Sequence, residues 1–218
     1  MKPRPANQNT VAMTLTELLV SLVVLAALVL VFLPAFISDN PRGPRYFRIR
    51  CVSNLRQIGI AYRIWAEDNN GNYPMQTSVT NGGAIELVTT GNVVSCFQVL
   101  SNMLERPEIL VCPADKKRIL ATSFANGLTR SNISYFVGLD AANTQPQSLL
   151  SGDDNLVVNG TKAWSGILNL HTNDSLAWTG ERHGGEGNIG LADGSVQELN
   201  SAGLTATAGL ATNRLAIP

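Results

Sequence analysis

Met13-Thr14-Leu15-Thr16-Glu17 opens the stretch on which the reading of this chain turns, MTLTELLVSLVVLAALVLVFLPAFIS at 13–38, which carries no charge between Glu17 and Asp39. As a helix rising about 1.5 Å per residue, Leu18 to Ser38 would extend roughly 32 Å, the hydrocarbon thickness of a bilayer. Lys2 and Arg4 precede it without an acid. The positive-inside rule then keeps the start of the chain in the cytoplasm and sends Asp39 to Pro218 across the membrane.

Glu17 stands at the mouth of the apolar run, and two readings of it hold together. Thr14-Leu15-Thr16-Glu17 has the capping-box spacing, in which Thr14 satisfies a free helix N–H and Glu17 reaches back. A carboxylate in an apolar setting also calls for a partner, and a new amine at Met13 of a neighbouring helix would supply one.

A short basic leader followed by Met-Thr-Leu-Thr-Glu-Leu-Leu-Val-Ser-Leu resembles the prepilin segment of type IV pilins and type II secretion pseudopilins. The resemblance implies cleavage by a prepilin peptidase between Ala12 and Met13 and N-methylation of the new end. It also implies subunit docking through Glu17 and a proline at Pro34. Ala12 stands where the family usually has Gly. An ordinary secretory signal is the rival, but Phe32-Leu33-Pro34-Ala35-Phe36 is a poor small-residue cleavage site.

Beyond the leader and apolar run, roughly 180 residues suit one domain with its own core. Sixteen bases meet sixteen acids, and no basic patch points to nucleic acid. Charged residues make up 15% of the chain, against plentiful Asn, Gly, Ser and Thr.

The three cysteines, Cys51, Cys96 and Cys112, allow three pairings or none. Three buried reduced thiols are an equal alternative. If a bond forms, Cys51 to Cys112 is favoured, because it would staple the head's first helix to a core strand. No C-x-x-C spacing occurs and there are two histidines, so no metal is expected.

Asp39-Asn40-Pro41-Arg42-Gly43-Pro44 breaks the helix, giving a hinge at 39–44. Phe47, Cys51, Leu55, Ile58, Tyr62 and Trp65 then recur at three and four residues, one apolar helical face that should lie on a sheet. Asn70-Gly71 ends it. Asp68, Asn70 and Asn72 alternate like calcium ligands, but Tyr73 and Val79 occupy the positions that need Gly and Glu.

Further on, Ala84 to Thr89 reads as a strand, Cys96 to Leu104 as a helix, and Glu108 to Cys112 and Ser134 to Gly138 as buried strands. Residues 140–160 read as loop, with Asp153-Asp154 solvated. Ile189, Leu191, Val196 and Leu199 flank Asp193-Gly194 as a β-hairpin.

His183, Asp193 and Gly194 also form the His-x9-Asp-Gly pattern of pilin-like proteins of the planctomycete and verrucomicrobial kind. Cys-Val-Ser-Asn-Leu-Arg-Gln-Ile-Gly at 51–59, Val-Cys-Pro-Ala-Asp at 111–115 and Ser-Tyr-Phe-Val-Gly-Leu-Asp at 134–140 extend that resemblance over most of the head. His183 with Asp193, Glu181 or Ser195 could form an acid–base group, but no nucleophile elbow or phosphate loop accompanies them. A structural bond from His183 across the hairpin base is favoured, and no enzyme is expected.

The expected fold is α+β and pilin-like, with a leader at 1–12, a long hydrophobic transmembrane or filament-core helix at 13–38, the hinge, and a head at 45–218 whose second helix packs on an antiparallel sheet. The expected function is a structural subunit of a type II secretion pseudopilus or type IV pilus-like filament. It would be single-pass in the inner membrane with a periplasmic head, and extracytoplasmic once assembled. Its partners would be the prepilin peptidase, other subunits and the inner membrane, with no cofactor and no nucleic acid. The alternative is an uncleaved membrane-anchored extracytoplasmic binding protein.

Overall fold

The structure, a computed structural model, describes residues 14–37, 43–208 and 213–218, without the side chains of 32–37. The expected leader at 1–12 with Ala12, the first mature residue Met13, Ser38, and residues 39–42 of the expected hinge lie outside these residues. The chain divides into two units, Met1–Pro41 and Arg42–Pro218.

In the first unit, helix α1 runs Leu15–Ile37. Its start is a reciprocal cap. The Thr14 backbone N–H and hydroxyl both donate to Glu17 Oε2 at 2.9 Å, and the Glu17 N–H donates to Thr14 Oγ1 at 3.3 Å. Pro34 falls within the helical backbone. Among the described residues no helix is long and apolar enough to cross a membrane. That finding overturns the expected fold class, with its long hydrophobic spanning helix, and the expected single-pass inner membrane location.

The second unit is α+β. Helix α2, Pro44–Asp68, begins with proline in its first turn after an extended Gly43, where the missing N–H costs nothing. Its buried face is Cys51, Leu55, Ile58, Ala61, Tyr62 and Trp65. It ends where Asn70 and Gly71 take φ of 56° and 80°. Short helices follow at Ile85–Val88 (α3), Val93–Val99 (α4) and Ser101–Leu104 (α5).

The strands are β1 Tyr135–Gly138, β2 Leu149–Asp153, β3 Leu156–Val158, β4 Thr161–Lys162, β5 Gly166–Leu170, β6 Leu176–Trp178, β7 Glu186–Leu191, β8 Val196–Asn200 and β9 Asn213–Ile217, with helix α6, Ser201–Ala208, before the last. The main sheet has the order β5-β9-β1-β2-β7-β8, antiparallel throughout, and β4-β3-β6 form a second.

Strand alternation divides the core. Tyr135, Val137, Leu150 and Ala216 join the α2 side, whereas Phe136, Leu149, Leu215 and Ile217 point into a second cluster with Leu176, Trp178 and Leu204. Helix α2 packs on β2, β7 and β8, and α6 packs on β6 and β8, so the sheet is covered on both faces. At roughly 1.5–3 kcal/mol for each large apolar side chain buried, these two layers carry most of the head's cohesion.

Several local expectations fail. Ala84 to Thr89 holds helix α3, and Glu108 to Cys112 holds a 3-10 turn at Pro107–Leu110. Pro107 at the start of that turn favours helical φ and removes a ladder donor. Residues 140–160, read as loop, contain β2 and β3. Asp153 and Asp154, read as solvated, are buried.

Candidate functional site

The polar centre of the head forms where the end of β2 meets the turn before β7. Asp153 closes a central strand and Asp154 follows it, its N–H donating to the Ser134 carbonyl at 3.0 Å. Asp115 arrives from a turn in which its N–H donates to the Cys112 carbonyl at 2.8 Å. Arg182 lies among all three. It bonds Asp154 closely, approaches Asp115 at 2.6 Å and Asp153 at 4.0 Å, and donates to the Ser134 carbonyl at 3.1 Å. Arg118 adds a second close bond to Asp154 and lies 3.6 Å from Asp115.

Burial decides the electrostatics. It pushes the Asp154 carboxyl above its ordinary value against the pull of Arg182 and Arg118. For Arg182 burial works in the opposite sense, but Asp154, Asp115 and Asp153 together raise it, so the guanidinium stays charged. A cavity of about 240 Å³ opens beside this network, lined by Lys117, Arg118, Asp154, Lys162, Glu181 and Arg182 among others. Its charges are largely paired with one another. Glu181 accepts from Lys117 at 2.7 Å and from Lys162 at 2.9 Å, two bonds that hold its carboxyl down at about 2.

Next to Arg182, the chain turns through three positive φ values in succession, His183 at 49°, Gly184 at 70° and Gly185 at 86°. A non-glycine residue in that region is uncommon and is held there by its surroundings. The His183 carbonyl accepts from Arg48 Nη2 at 2.7 Å, and its ring is buried with Nε2 3.3 Å from Cys112 Sγ and 3.9 Å from Asp153 Oδ2. Burial holds the imidazole below its usual value and pushes Asp153 above its own. Asp153 Oδ2 accepts from the Asn188 backbone N–H at 2.8 Å and from its side chain at 2.9 Å, while Oδ1 has no hydrogen-bond partner.

Cys112 is bonded to Cys51 of α2, with Cα atoms 5.3 Å apart, and Cys96 is a free buried thiol. The bond ties α2 to the segment after a 3-10 turn rather than to a strand. One donor atom each from Cys51, Cys112, Asp153 and His183 lies within 4.8 Å of the others. No spacing rule could have found this group, because its members come from α2, the 112–115 turn, β2 and the 182–185 turn. The cysteine count singles out Cys51 and Cys112 as a pair, and the resemblance, which covers 51–59, 111–115 and the His-x9-Asp-Gly pattern, adds His183.

Asp193 and Gly194 sit elsewhere. They form the β7–β8 turn, where Gly194 takes φ 85° and Asp193 Oδ1 accepts from the Ser195 N–H at 2.8 Å. Arg63 donates to the Asp193 carbonyl at 3.0 Å and Tyr73 Oη to the Ala192 carbonyl at 3.0 Å, anchoring the turn to the helical layer. His183 and Asp193 therefore flank β7 from opposite ends, roughly 17 Å apart at about 3.3 Å per residue. They cannot share a proton, and Ser195 is with Asp193 in the turn. The favoured bond from the His183 ring across the hairpin base is replaced by its contact with Cys112.

On α1, Glu17 is exposed, and its bonds from the Thr14 N–H and hydroxyl hold the carboxyl below its ordinary value. No family model, curated protein or solved structure matches the chain.

Proposed function

We propose that the chain is a filament subunit that assembles through α1 into a type II secretion pseudopilus or a type IV pilus-like filament. The observation that carries this reading is the surface of α1. Leu15, Val20 and Leu25 are 78%, 63% and 60% exposed, and at about 100° per residue they point to three different sides of the helix. Leu30, then Val24 and Leu28, then Leu18 fall in the three intervals between them and are also exposed.

A helix that is apolar around its whole circumference needs neighbours on every side, and a single docking face would cover only one stripe of it. A bundle of α1 helices from many copies meets that need. Glu17 then has two tasks. It caps its own helix, and its ionised carboxylate meets the methylated amine of a neighbour's Met13 once the prepilin peptidase has cut after Ala12.

The test is to express the full chain with and without a prepilin peptidase, read the N-terminus by mass spectrometry, and examine the product by electron microscopy. A chain beginning at methylated Met13, filaments in its presence, and loss of filaments but not of cleavage in Glu17→Ala are expected. An intact Met1 with no filament under any condition would overturn the reading.

A further inference from the structure

We propose that Cys51, Cys112, Asp153 and His183 form a redox-gated site for a tetrahedral divalent metal of the zinc class, closed by the disulfide and opened by its reduction. The donor set is two sulfurs, one imidazole nitrogen and one carboxylate oxygen, the ligand types zinc takes. All four residues are buried, and their donor atoms lie within 4.8 Å of one another. Metal–ligand bonds of about 2.0–2.3 Å place tetrahedral ligands roughly 3.3–3.8 Å apart. His183 Nε2 is already 3.3 Å from Cys112 Sγ and 3.9 Å from Asp153 Oδ2. Only the two sulfurs are too close, because they are bonded to each other.

Three surrounding features fit a ligand site better than a disulfide packed against chance neighbours. Asp153 is fully buried and its Oδ1 accepts no hydrogen bond, with the Arg182 guanidinium 4.0 Å away as its cation, so the carboxylate has capacity for a further partner. Asn188 grips Oδ2 twice, as outer-shell donors grip a ligating carboxylate. A cleft of about 360 Å³ has Asn54, Val111, Cys112, Pro113 and Asp115 in its wall, so the buried site lies beside an opening to solvent rather than deep in the core.

The chemistry balances in two steps. A dithiol reductant gives two electrons and two protons to the Cys51–Cys112 bond, leaving two protein thiols and the reductant's own cyclic disulfide. One divalent metal ion then displaces the two thiol protons and binds both thiolates, His183 Nε2 and Asp153. Two thiolates and one carboxylate against a divalent cation leave one negative charge, which faces Arg182 at 4.0 Å from Asp153. The disulfide ties α2 to the segment at Cys112, and the metal would hold those same two positions together with Asp153 at the end of β2, so reduction exchanges one cross-link for another.

The experiment uses the full chain. The oxidised protein and the protein reduced by a water-soluble phosphine, which is itself turned into its oxide, are titrated with Co²⁺ without oxygen, and Zn²⁺ is then added. One equivalent of cobalt, a thiolate-to-cobalt charge-transfer band and its displacement by Zn²⁺ are expected in the reduced protein alone. His183→Gln and Asp153→Asn, shown to be folded by near-UV circular dichroism in the oxidised state, should each weaken binding at least about tenfold.

The wild-type titration decides by itself if a variant does not fold. No charge-transfer band on reduction, an equal band in the oxidised protein, or unchanged affinity in both variants would overturn the proposal. So would a reduced chain that unfolds and does not regain its near-UV spectrum with Co²⁺ or Zn²⁺.

Discussion

Arg48 Nη2 donates to the carbonyl of His183 at 2.7 Å, joining the first turns of α2 to the one non-glycine residue in a run of three positive φ values. The same guanidinium bonds Glu186 closely and Glu198 at 2.7 Å, so one side chain holds the turn and both strands of the hairpin. Arg48→Met should cost about 1–2 kcal/mol, the range for a partly exposed charge-assisted bond. Arg48→Lys should recover less than half of that, because an ammonium lacks the fork that reaches three acceptors. Urea unfolding of the three proteins checks both values, and full rescue by lysine would sink the argument.

Arg182 carries a larger load. It is the buried cation shared by Asp115 and Asp154, and Arg182→Met would leave carboxylates in the interior with Arg118 as their remaining close cation. A loss of about 3–5 kcal/mol is expected from breaking such a buried pair. Adding Asp154→Asn to that variant should restore part of the loss, since it removes the stranded charge. If the double variant is less stable than the single one, the cost lies in packing instead.

Helix α2 was legible because its apolar residues recur at helical spacing over more than five turns, and the β7–β8 hairpin because Asp193-Gly194 is sterically suited to its turn. The 84–112 region was not. Its apolar runs are short, and Ala84 to Thr89 fits a strand as well as the single helical turn it forms. The buried ionic centre was hidden for a different reason. Asp153-Asp154 looks like a solvated acidic pair until the topology brings Arg118 and Arg182 to it, and neither arginine stands at a spacing that announces the contact. The apolar stretch after Glu17 suggested a span from its composition, and the described helix does not bear that out.

Gly187 lies against the Trp178 ring, and a Cβ there would come within 2.5 Å of its carbons. The ring is buried in the second core layer, so it cannot swing away freely. Gly187→Ala should therefore cost about 1–3 kcal/mol through overpacking and alter the near-UV circular dichroism. An alanine variant with unchanged spectrum and stability would mean that the two layers are looser than the packing indicates.

The Asp193 carboxyl is held below its ordinary value by bonds from the Ser195 hydroxyl and N–H, with a smaller contribution from Gln147. A depressed folded value means that its contribution is complete above the unfolded value near 3.9 and disappears as pH falls through the folded one. Asp193→Asn should be less stable than the parent at pH 7, and the two should converge in strong acid. Urea midpoints at both pH values read this out. A gap that stays constant with pH would assign the effect to shape rather than charge.

Cys96 should be chemically silent in the native protein. It is fully buried, and burial pushes its thiol up to about 12. At pH 8 about one part in ten thousand would then be thiolate, the form that attacks alkylating agents and disulfides. The consequence reaches the other two cysteines, because a disulfide isomerises only when a thiolate can attack it. Cys96 therefore leaves the Cys51–Cys112 bond undisturbed. Iodoacetamide at pH 8 should add no label to the native chain, one label to the unreduced chain in denaturant, and three after reduction and denaturation, counted by mass spectrometry. Label on Cys96 in the native protein, or a peptide map showing it paired with Cys51 or Cys112, would show that the thiol is reached from outside.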